Sequence, residues 1–253
     1  MSIHPTALIS GKAQLEEGVT VGPYTTIHDN VCIGRNTNIE GYCELGVTSA
    51  LSEGKKIKIG SDSLIRSHSV FYEGSIFGAG LVTGHRVTVR EKTFAGKNLQ
   101  IGTLSDIQGH CEIGDYVRFH SNVHIGQKSK IGNFVWIFPY VVLTNDPHPP
   151  SETMCGVKIH DFAVIATMSV VLPGAEIAEG CLLGAHSCIK GKTDPDHIYA
   201  GSPARLICPT SQIQLSDGSG SAYPWRKHFR RGYPEEVILK WANEDFSEQK
   251  SAE

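Results

Sequence analysis

The chain has 253 residues, a formal net charge of −3 at pH 7 and 40% hydrophobic residues. This charge balance gives no reason to expect nucleic acid or an acidic membrane surface as a partner. The sequence has no apolar run long enough to span a membrane, and its first residues lack the pattern of a signal peptide. Its seven cysteines match no metal-binding spacing. We therefore expect reduced thiols, several of them buried, in a cytoplasmic protein.

A repeat of six residues runs through most of the sequence. Apolar residues recur at this spacing from Ile3 to Leu45, from Ile59 to Leu143 and from Ile159 to Ile189, with Thr83 as the exception. A small or β-branched residue usually follows four positions later, and glycine often comes directly after the apolar residue. A period of six fits no helix, but it fits short strands joined by tight corners. Three such strands complete one triangular coil, so the pattern predicts a column of about ten coils.

This pattern resembles the left-handed parallel β-helix of the hexapeptide-repeat transferases, over residues 3 to about 194. The resemblance implies an all-β fold and a homotrimer with active sites in grooves between subunits. Aromatic residues predicted to lie on the surface agree with packing between subunits; they are Phe71, Phe77, Tyr116, Phe134, Trp136 and Phe138. We predict a β-helix domain over residues 1–207 and a tail over 208–253. In the tail we expect a short helix from Glu235 to Asp245 and a disordered end, Phe246 to Glu253.

Two segments interrupt the repeat, at residues 47–56 and 144–158. The second contains Pro147, Pro149 and Pro150, which cannot continue a central strand. Since a fold alone does not fix function, we look for the functional site at these interruptions. A neutral surface insertion remains the alternative, with equal weight for the first loop.

A polar file lies beneath the second loop, because residues 18 positions apart stack in such a coil. Stepping back from the loop gives Asn145, Gln127, Gly109, Glu91 and Glu73. We interpret Gly109 as a gap that leaves space for a ligand.

Histidines are concentrated near this file. The predicted acceptor site adds the following residues to Asn145 and Gln127: His110, His120, Asn122, His124, Asp146 and His148. An amide of Asn145 or Gln127 would orient the acceptor, and His120, or else His110, would take up its proton. The others are predicted to bind substrate. Each histidine taken alone is more typical of a solvated corner.

The end of the repeat, HIYAGSPARLI, resembles the YAGxPAK ending of many hexapeptide acetyltransferases. The resemblance implies acetyl-CoA as co-substrate, with Ser202, Ala204 and Arg205 near its adenosine end. It also implies that small residues of the preceding coils admit the pantetheine arm; these are Ala166, Ser169, Gly184 and Ala185. A plain cap on the coil stack is the alternative. No metal is expected.

The loop TNDPHPPSE resembles the TND-type loop of nucleotide-amino-sugar N-acetyltransferases. The segment from Thr83 to Ser151 looks particularly like the enzymes that act on dTDP-3-amino-3,6-dideoxyhexoses. The resemblance implies acetylation of the amino group of a dTDP- or UDP-linked sugar for a surface glycan such as O-antigen. It also implies that the departing thiolate can replace a protein base. His85 occupies the hexad place where UDP-sugar acyltransferases of lipid A synthesis keep a catalytic histidine, so we add it to the substrate-binding candidates.

Three other interpretations stay open. One is a sugar O-acetyltransferase with His148 as base. Another is a γ-type carbonic anhydrase, in which His120 and His124 would hold zinc across a trimer interface. The third is a non-catalytic β-helix scaffold.

Overall fold

The computed structural model describes residues 2–242 of the chain. The chain divides into two compact units, Met1–Ile207 and Cys208–Glu253. Strands of the first unit follow the six-residue repeat, since most of them are residue pairs that end on its apolar position.

The early strands are β1 (Ser2–Ile3), β2 (Leu8–Ile9), β3 (Gln14–Leu15), β4 (Thr20–Val21), β5 (Thr26–Ile27), β6 (Val31–Ile33), β7 (Asn38–Ile39), β8 (Glu44–Val47), β9 (Ile57–Ile59) and β10 (Leu64–Ile65). The middle strands are β11 (Val70–Tyr72), β12 (Ile76–Phe77), β13 (Val82–Thr83), β14 (Thr88–Val89), β15 (Phe94–Ala95), β16 (Gln100–Ile101), β17 (Asp106–Ile107), β18 (Glu112–Ile113), β19 (Arg118–Phe119) and β20 (His124–Ile125). The late strands are β21 (Lys130–Ile131), β22 (Trp136–Ile137), β23 (Val142–Leu143), β24 (Lys158–Ile159), β25 (Val164–Ile165), β26 (Val170–Val171), β27 (Glu176–Ile177), β28 (Leu182–Leu183), β29 (Cys188–Ile189), β30 (His197–Gly201) and β31 (Ala204–Pro209).

Every third strand joins the same parallel sheet, so the chain winds around three sheets. Sheet 1 runs β1-β4-β7 and onward to β28, β30 and β31; sheet 2 runs from β2 to β29; sheet 3 runs from β3 to β27. The chain passes from sheet 1 to sheet 2 to sheet 3 and back, which defines a 1–2 corner, a 2–3 corner and a 3–1 corner. This is the predicted parallel β-helix. The closing segment extends it, because β30 pairs in parallel with β28.

The apolar positions of the repeat form the core, where Ile65, Ile107 and Leu143 are fully buried. Two aromatic residues predicted to lie on the surface, Phe71 and Phe77, belong to this core instead and pack edge to face. Both occupy the recurring apolar position of the six-residue repeat, and the side chain at this position points inward whatever its size. Tyr116 is also buried, in a stack with Phe134 at the 3–1 corner.

The cysteines are all free thiols, as predicted. Cys43, Cys111 and Cys181 are buried at the small inward-facing positions of the repeat. Burial raises the pKa of each of these three thiols to about 11, so they remain protonated and act as small apolar fillers.

The second unit contains short helical segments. Its 3-10 turns are Thr210–Gln212 and Trp225–Lys227, and residues 235–242 are helical as far as the structure describes them. Trp225, Tyr233 and the buried Trp241 pack against one another. The rest of the predicted helix and the predicted disordered end, Phe246 to Glu253, lie outside the described residues. No helix within residues 2–242 has the length and apolar character that crossing a membrane requires.

Candidate active site

Both interruptions leave the β-helix at the 2–3 corner. The first follows β8 and the second follows β23, and both strands belong to sheet 2. Between them the sheet 2 strands stack in strict register, with Val89 opposite Ile107, Ile107 opposite Ile125, and Ile125 opposite Leu143. The residues two positions further on therefore form one vertical file at this corner, and these are Glu73, Glu91, Gly109, Gln127 and Asn145.

Glu73, at the lower end of the file, fastens the first loop. Its carboxylate is only 2% exposed. It accepts hydrogen bonds from Asn30 Nδ2 at 2.8 Å and from Ser52 Oγ of the loop at 3.2 Å. A salt bridge between Glu53 of the loop and Lys92 holds the loop at a second point. Glu73 is therefore a structural carboxylate, with each of its two oxygens accepting a hydrogen bond from within the chain.

The carboxylate of Glu91 likewise has its hydrogen-bond donors within the chain. It is 1% exposed and accepts two hydrogen bonds from Arg90, at 3.2 and 3.0 Å. Burial alone would raise the pKa of Glu91, but the hydrogen bonds from Arg90, a backbone hydrogen bond and the charges of Arg90 and His110 together hold the pKa below its ordinary value. The same guanidinium lies 5.1 Å from the centre of the Tyr72 ring. The Arg90–Glu91 pair therefore occupies the next position of the file, and Glu91 is another structural carboxylate.

Gly109 does not leave the predicted space. Its φ is +88°, and a Cβ at this position would lie 2.5 Å from the carbonyl oxygen of Glu91. The backbone therefore requires glycine here, because the neighbouring coil approaches so closely. His110 follows with a φ of 53° and stands at the same corner.

Gln127 and Asn145 differ from the two glutamates below them. Both are half-buried. Within residues 2–242, no hydrogen bond satisfies either side-chain amide, whereas the backbone carbonyl of Asn145 accepts one from Cys155 N at 2.7 Å. Two stacked amides, each able to donate and accept, are thus available to a ligand at the root of the second loop.

The second loop is shaped by its own contacts. Asp146 accepts hydrogen bonds from His148 N at 3.0 Å, Ser151 N at 3.0 Å and Ser151 Oγ at 2.7 Å. The Ser151 hydroxyl is the main reason that the pKa of Asp146 lies below its ordinary value. Where the loop returns, a Cβ on Gly156 would lie 2.0 Å from the carbonyl oxygen of Lys128. Asp146, predicted to bind substrate, instead maintains the loop, and His148 is exposed on it.

His120 does not lie under the second loop, so that prediction is wrong. It follows β19 at the 1–2 corner, at the opposite end of the sheet 2 strands from Gln127. Its ring stacks on Phe138, with centroids 4.6 Å apart, and lies 5.9 Å from Trp136. Burial lowers the pKa of His120, and the charge of Arg118 adds to this effect.

Two other predicted site residues share the 1–2 corner with His120. Asn122 lies beside it in the chain, and His85 lies on the same corner two coils earlier. The His85 ring hydrogen-bonds to Ser67 Oγ at 2.9 Å and lies 3.8 Å from Glu40. The structure therefore separates these residues from Gln127 and Asn145 within one chain.

The residues predicted to bind the cofactor are also found at the 1–2 corner. Register places Ala166 and Gly184 in the same file as His120 and Phe138, with the exposed Ala185 beside them. Ser169 cannot line this surface, because it is fully buried and donates a hydrogen bond to the carbonyl oxygen of Gly184 at 2.9 Å.

The closing segment contributes two surface residues of the three predicted. Ser202 and Arg205 are exposed, whereas Ala204 is only 7% exposed and packs into the core. The prediction that Ala204 contacts a cofactor is therefore wrong. The Arg205 guanidinium donates to the carbonyl oxygen of Ala204 at 3.1 Å.

Among the described residues, neither a metal-binding cluster nor the depression on sheet 3 involves the predicted site residues. Within residues 2–242 the chain brings together no group of three or more His, Cys, Asp or Glu side chains that could hold a metal ion. An open depression of about 360 Å³ lies on the outer face of sheet 3, lined among others by Phe94, Lys130 and His160. None of the residues predicted from the sequence to form a site lines it.

The chain is similar in sequence to acyltransferases that act on a nucleotide sugar. An acyl-[acyl-carrier-protein]–UDP-N-acetylglucosamine O-acyltransferase of Burkholderia orbicola is 32% identical over 202 residues, which cover 80% of this chain and 71% of the relative. The chain belongs to the family of these hexapeptide-repeat acyltransferases. A protein of the same description from Thermodesulfovibrio yellowstonii is 29% identical over 143 residues, covering 45% of this chain and 55% of the relative. In this and other matches the chain spans about half the length of the curated relatives.

The solved structure of an Arabidopsis UDP-N-acetylglucosamine acyltransferase agrees with the fold. It superimposes with a TM-score of 0.70 at 19% identity, covering 82% of this chain and 74% of that one. The predicted left-handed parallel β-helix is thus confirmed. A scan against protein-family models finds no match.

In this acyltransferase fold, sheet 2 carries one further polar pair that the sequence analysis did not connect. His124 on β20 stands directly opposite Asp106 on β17, and its Nδ1 lies 3.1 Å from Asp106 Oδ2. Gln108 also donates to this carboxylate. Burial alone would raise the pKa of Asp106, but the hydrogen bonds from His124 and Gln108, together with the charges of His124 and Arg90, lower the pKa below its ordinary value. The signal was available, because the two residues are 18 positions apart.

Proposed function

We propose that the protein is an acetyl-CoA-dependent N-acetyltransferase that acts on the amino group of a nucleotide-linked amino deoxysugar. The acceptor would bind at the 2–3 corner, beneath the loop of residues 144–157. The observation that carries this proposal is the pair of stacked amides, Gln127 and Asn145, which have no internal partner among residues 2–242. The TND-type sequence of the loop supports the same acceptor class.

The chemistry of an amide favours an amine as acceptor. Gln127 and Asn145 can orient a sugar by hydrogen bonds, but an amide cannot take up a proton. A sugar hydroxyl becomes nucleophilic only if a base removes its proton during the attack, whereas a neutral amine attacks as it is and needs a proton acceptor only afterwards. Acyl transfer to an amine then depends mainly on alignment with the thioester and on stabilisation of the developing oxyanion.

The donor would lie along the small residues of the 1–2 corner, where Ala166, Gly184 and Ala185 leave the backbone accessible. Because this corner and the 2–3 corner are at opposite ends of the sheet 2 strands, one chain does not bring donor and acceptor together. A neighbouring copy would complete the site, so a homotrimer is part of the proposal. We place the reaction in the cytoplasm, in the synthesis of a surface glycan.

A second candidate function rests on the family itself. The curated relatives are named for transfer from an acyl carrier protein to a hydroxyl of UDP-N-acetylglucosamine. If this chain shares that activity, it would accept an acyl group from acyl carrier protein and a sugar without a free amine.

One assay separates the two candidates. Free thiol is measured with a thiol reagent while acetyl-CoA is offered with dTDP- or UDP-linked amino sugars, and in parallel acyl carrier protein bearing an acyl chain is offered with UDP-N-acetylglucosamine. We expect amine-dependent thiol release in the first arm and none in the second. Release only in the second arm would support the second candidate, and release in neither would contradict both.

A further inference from the structure

The Asp106–His124 pair has the geometry of an oriented base. A carboxylate can only accept a hydrogen bond, so the His124 Nδ1 that lies 3.1 Å from Asp106 Oδ2 carries the proton. In the neutral imidazole, Nε2 is then the free acceptor. The His124 side chain is 40% exposed and that of Asp106 is 32% exposed. A ligand on the outer face of sheet 2 can therefore reach Nε2.

Position distinguishes this pair from other histidine–carboxylate pairs in the chain. His160 with Glu176 lies 2.9 Å apart on sheet 3, and His28 with Glu44 lies 3.0 Å apart below the first loop. His124, by contrast, begins the strand that leads directly to Gln127, three residues later. Asn145 stands above Gln127 on the next coil. His124 is thus the paired histidine nearest in the chain to the two free amides.

The neighbours of His124 leave Asp106 as its only charged partner on the flanking strands. On β17 it faces Asp106, and on β23 it faces the uncharged Val142. Arg90, one coil beyond, helps to lower the pKa of Asp106 through its positive charge. Asp106 is itself oriented by Gln108. The imidazole is therefore held by one carboxylate from one side.

We propose that His124 is the general base of the acyl transfer and that Asp106 is its positioning residue; this rests on the proposed function. The amine nitrogen attacks the thioester carbonyl carbon, so a C–N bond forms and the C–S bond breaks. The electron pair of the C–S bond goes to sulfur. His124 Nε2 takes the proton from the nitrogen and passes it to the departing thiolate, which leaves as free thiol. No other reactant is needed.

The test compares His124→Gln, Asp106→Asn and the matched control His28→Gln in the full chain. Each is assayed with acetyl-CoA and the amino sugar that the wild type accepts, over the range from about pH 5.5 to 9. We expect kcat to fall about 100-fold in H124Q with KM nearly unchanged, about 10-fold in D106N, and not at all in H28Q. The rise of kcat with pH on the acidic side should disappear in H124Q. Added imidazole should restore part of the activity of His124→Ala.

The outcomes distinguish a wrong assignment of the base from a wrong assignment of the reaction. If the wild type acetylates the amino sugar and folded H124Q keeps its kcat and its pH profile, the thiolate takes the proton directly and His124 is not the base. If the wild type releases no thiol with any amino sugar, the proposed function fails and this inference fails with it. Thermal unfolding of each variant checks the fold, and His124→Asn replaces H124Q if the latter is unstable.

Discussion

The 1–2 and 2–3 corners are built from the same repeat, yet they offer different chemistry. The 1–2 corner stacks His120, Phe138, Ala166 and Gly184, which makes a surface of rings and small residues. The 2–3 corner carries both loops and the polar file that ends in Gln127 and Asn145. A uniform backbone scaffold can thus carry chemically different surfaces at separate edges, and the side chains and loops at each edge decide its character.

Substitution of Asn145 should show the largest difference in activity between the two corners. We expect Asn145→Ala to lower kcat/KM for the amino sugar about 100-fold, because the acceptor loses a group that aligns it with the thioester. Asn122→Ala is the matched control, since Asn122 is also a half-buried corner asparagine but stands at the 1–2 corner. Steady-state kinetics of the two variants decide the matter. An equal loss in both would show that the acceptor does not distinguish the corners.

Removal of Glu73 should separate structure from function within the polar file. Glu73→Ala leaves Asn30 and Ser52 without their buried partner, so we expect the free energy of unfolding to fall by about 2–3 kcal/mol. Glu112→Ala is the control, because that carboxylate pairs with Lys130 on the exposed face of sheet 3 and should change stability by less than about 1 kcal/mol. Urea denaturation measures both. A neutral result for E73A would mean that the first loop is not fastened through this carboxylate.

The fold and its register could be predicted from the sequence because both follow from the period of six. The same arithmetic gave the file from Glu73 to Asn145 correctly. The same arithmetic also shows why His120 was assigned to the wrong place. A residue seven positions before Gln127 lies more than one six-residue repeat earlier, and therefore at another corner. Ser169 and Ala204 were misplaced for a related reason: small residues look suited to a cofactor surface, but at these positions they point inward.

Other features could not be derived from the period. The hydrogen bonds of Asp146 depend on the irregular path of residues 144–157, which no repeat determines. The sequence also could not show why position 109 requires glycine, because the close approach of the Glu91 carbonyl oxygen depends on how two coils pack. The pairing of His124 with Asp106 lies between these cases, since spacing gives the contact but only the structure gives its geometry.

A smaller effect is expected at the 1–2 corner itself. His120→Ala removes a ring that stacks on Phe138 next to the proposed donor surface, so we expect KM for acetyl-CoA to rise about threefold. The kcat value and its pH dependence should remain, because His120 stands away from the acceptor amides. Variation of acetyl-CoA at saturating amino sugar measures this. A loss of the acidic limb of the pH profile in H120A would return the role of base to His120 and contradict the assignment of His124.

The smallest effect concerns the scaffold on which the 1–2 corner is built. Leu104 and Asn122 occupy equivalent places on successive coils, with φ of 62° and 59°. Leucine is strained in this left-handed conformation, whereas asparagine tolerates it. Leu104 is also 52% exposed, so little packing is lost on replacement. We expect Leu104→Asn to raise the free energy of unfolding by about 0.5 kcal/mol and Asn122→Leu to lower it by a similar amount. Urea denaturation of both variants tests the pair, and a change of the same sign in both would show that side-chain contacts, rather than backbone strain, set the stability of this corner.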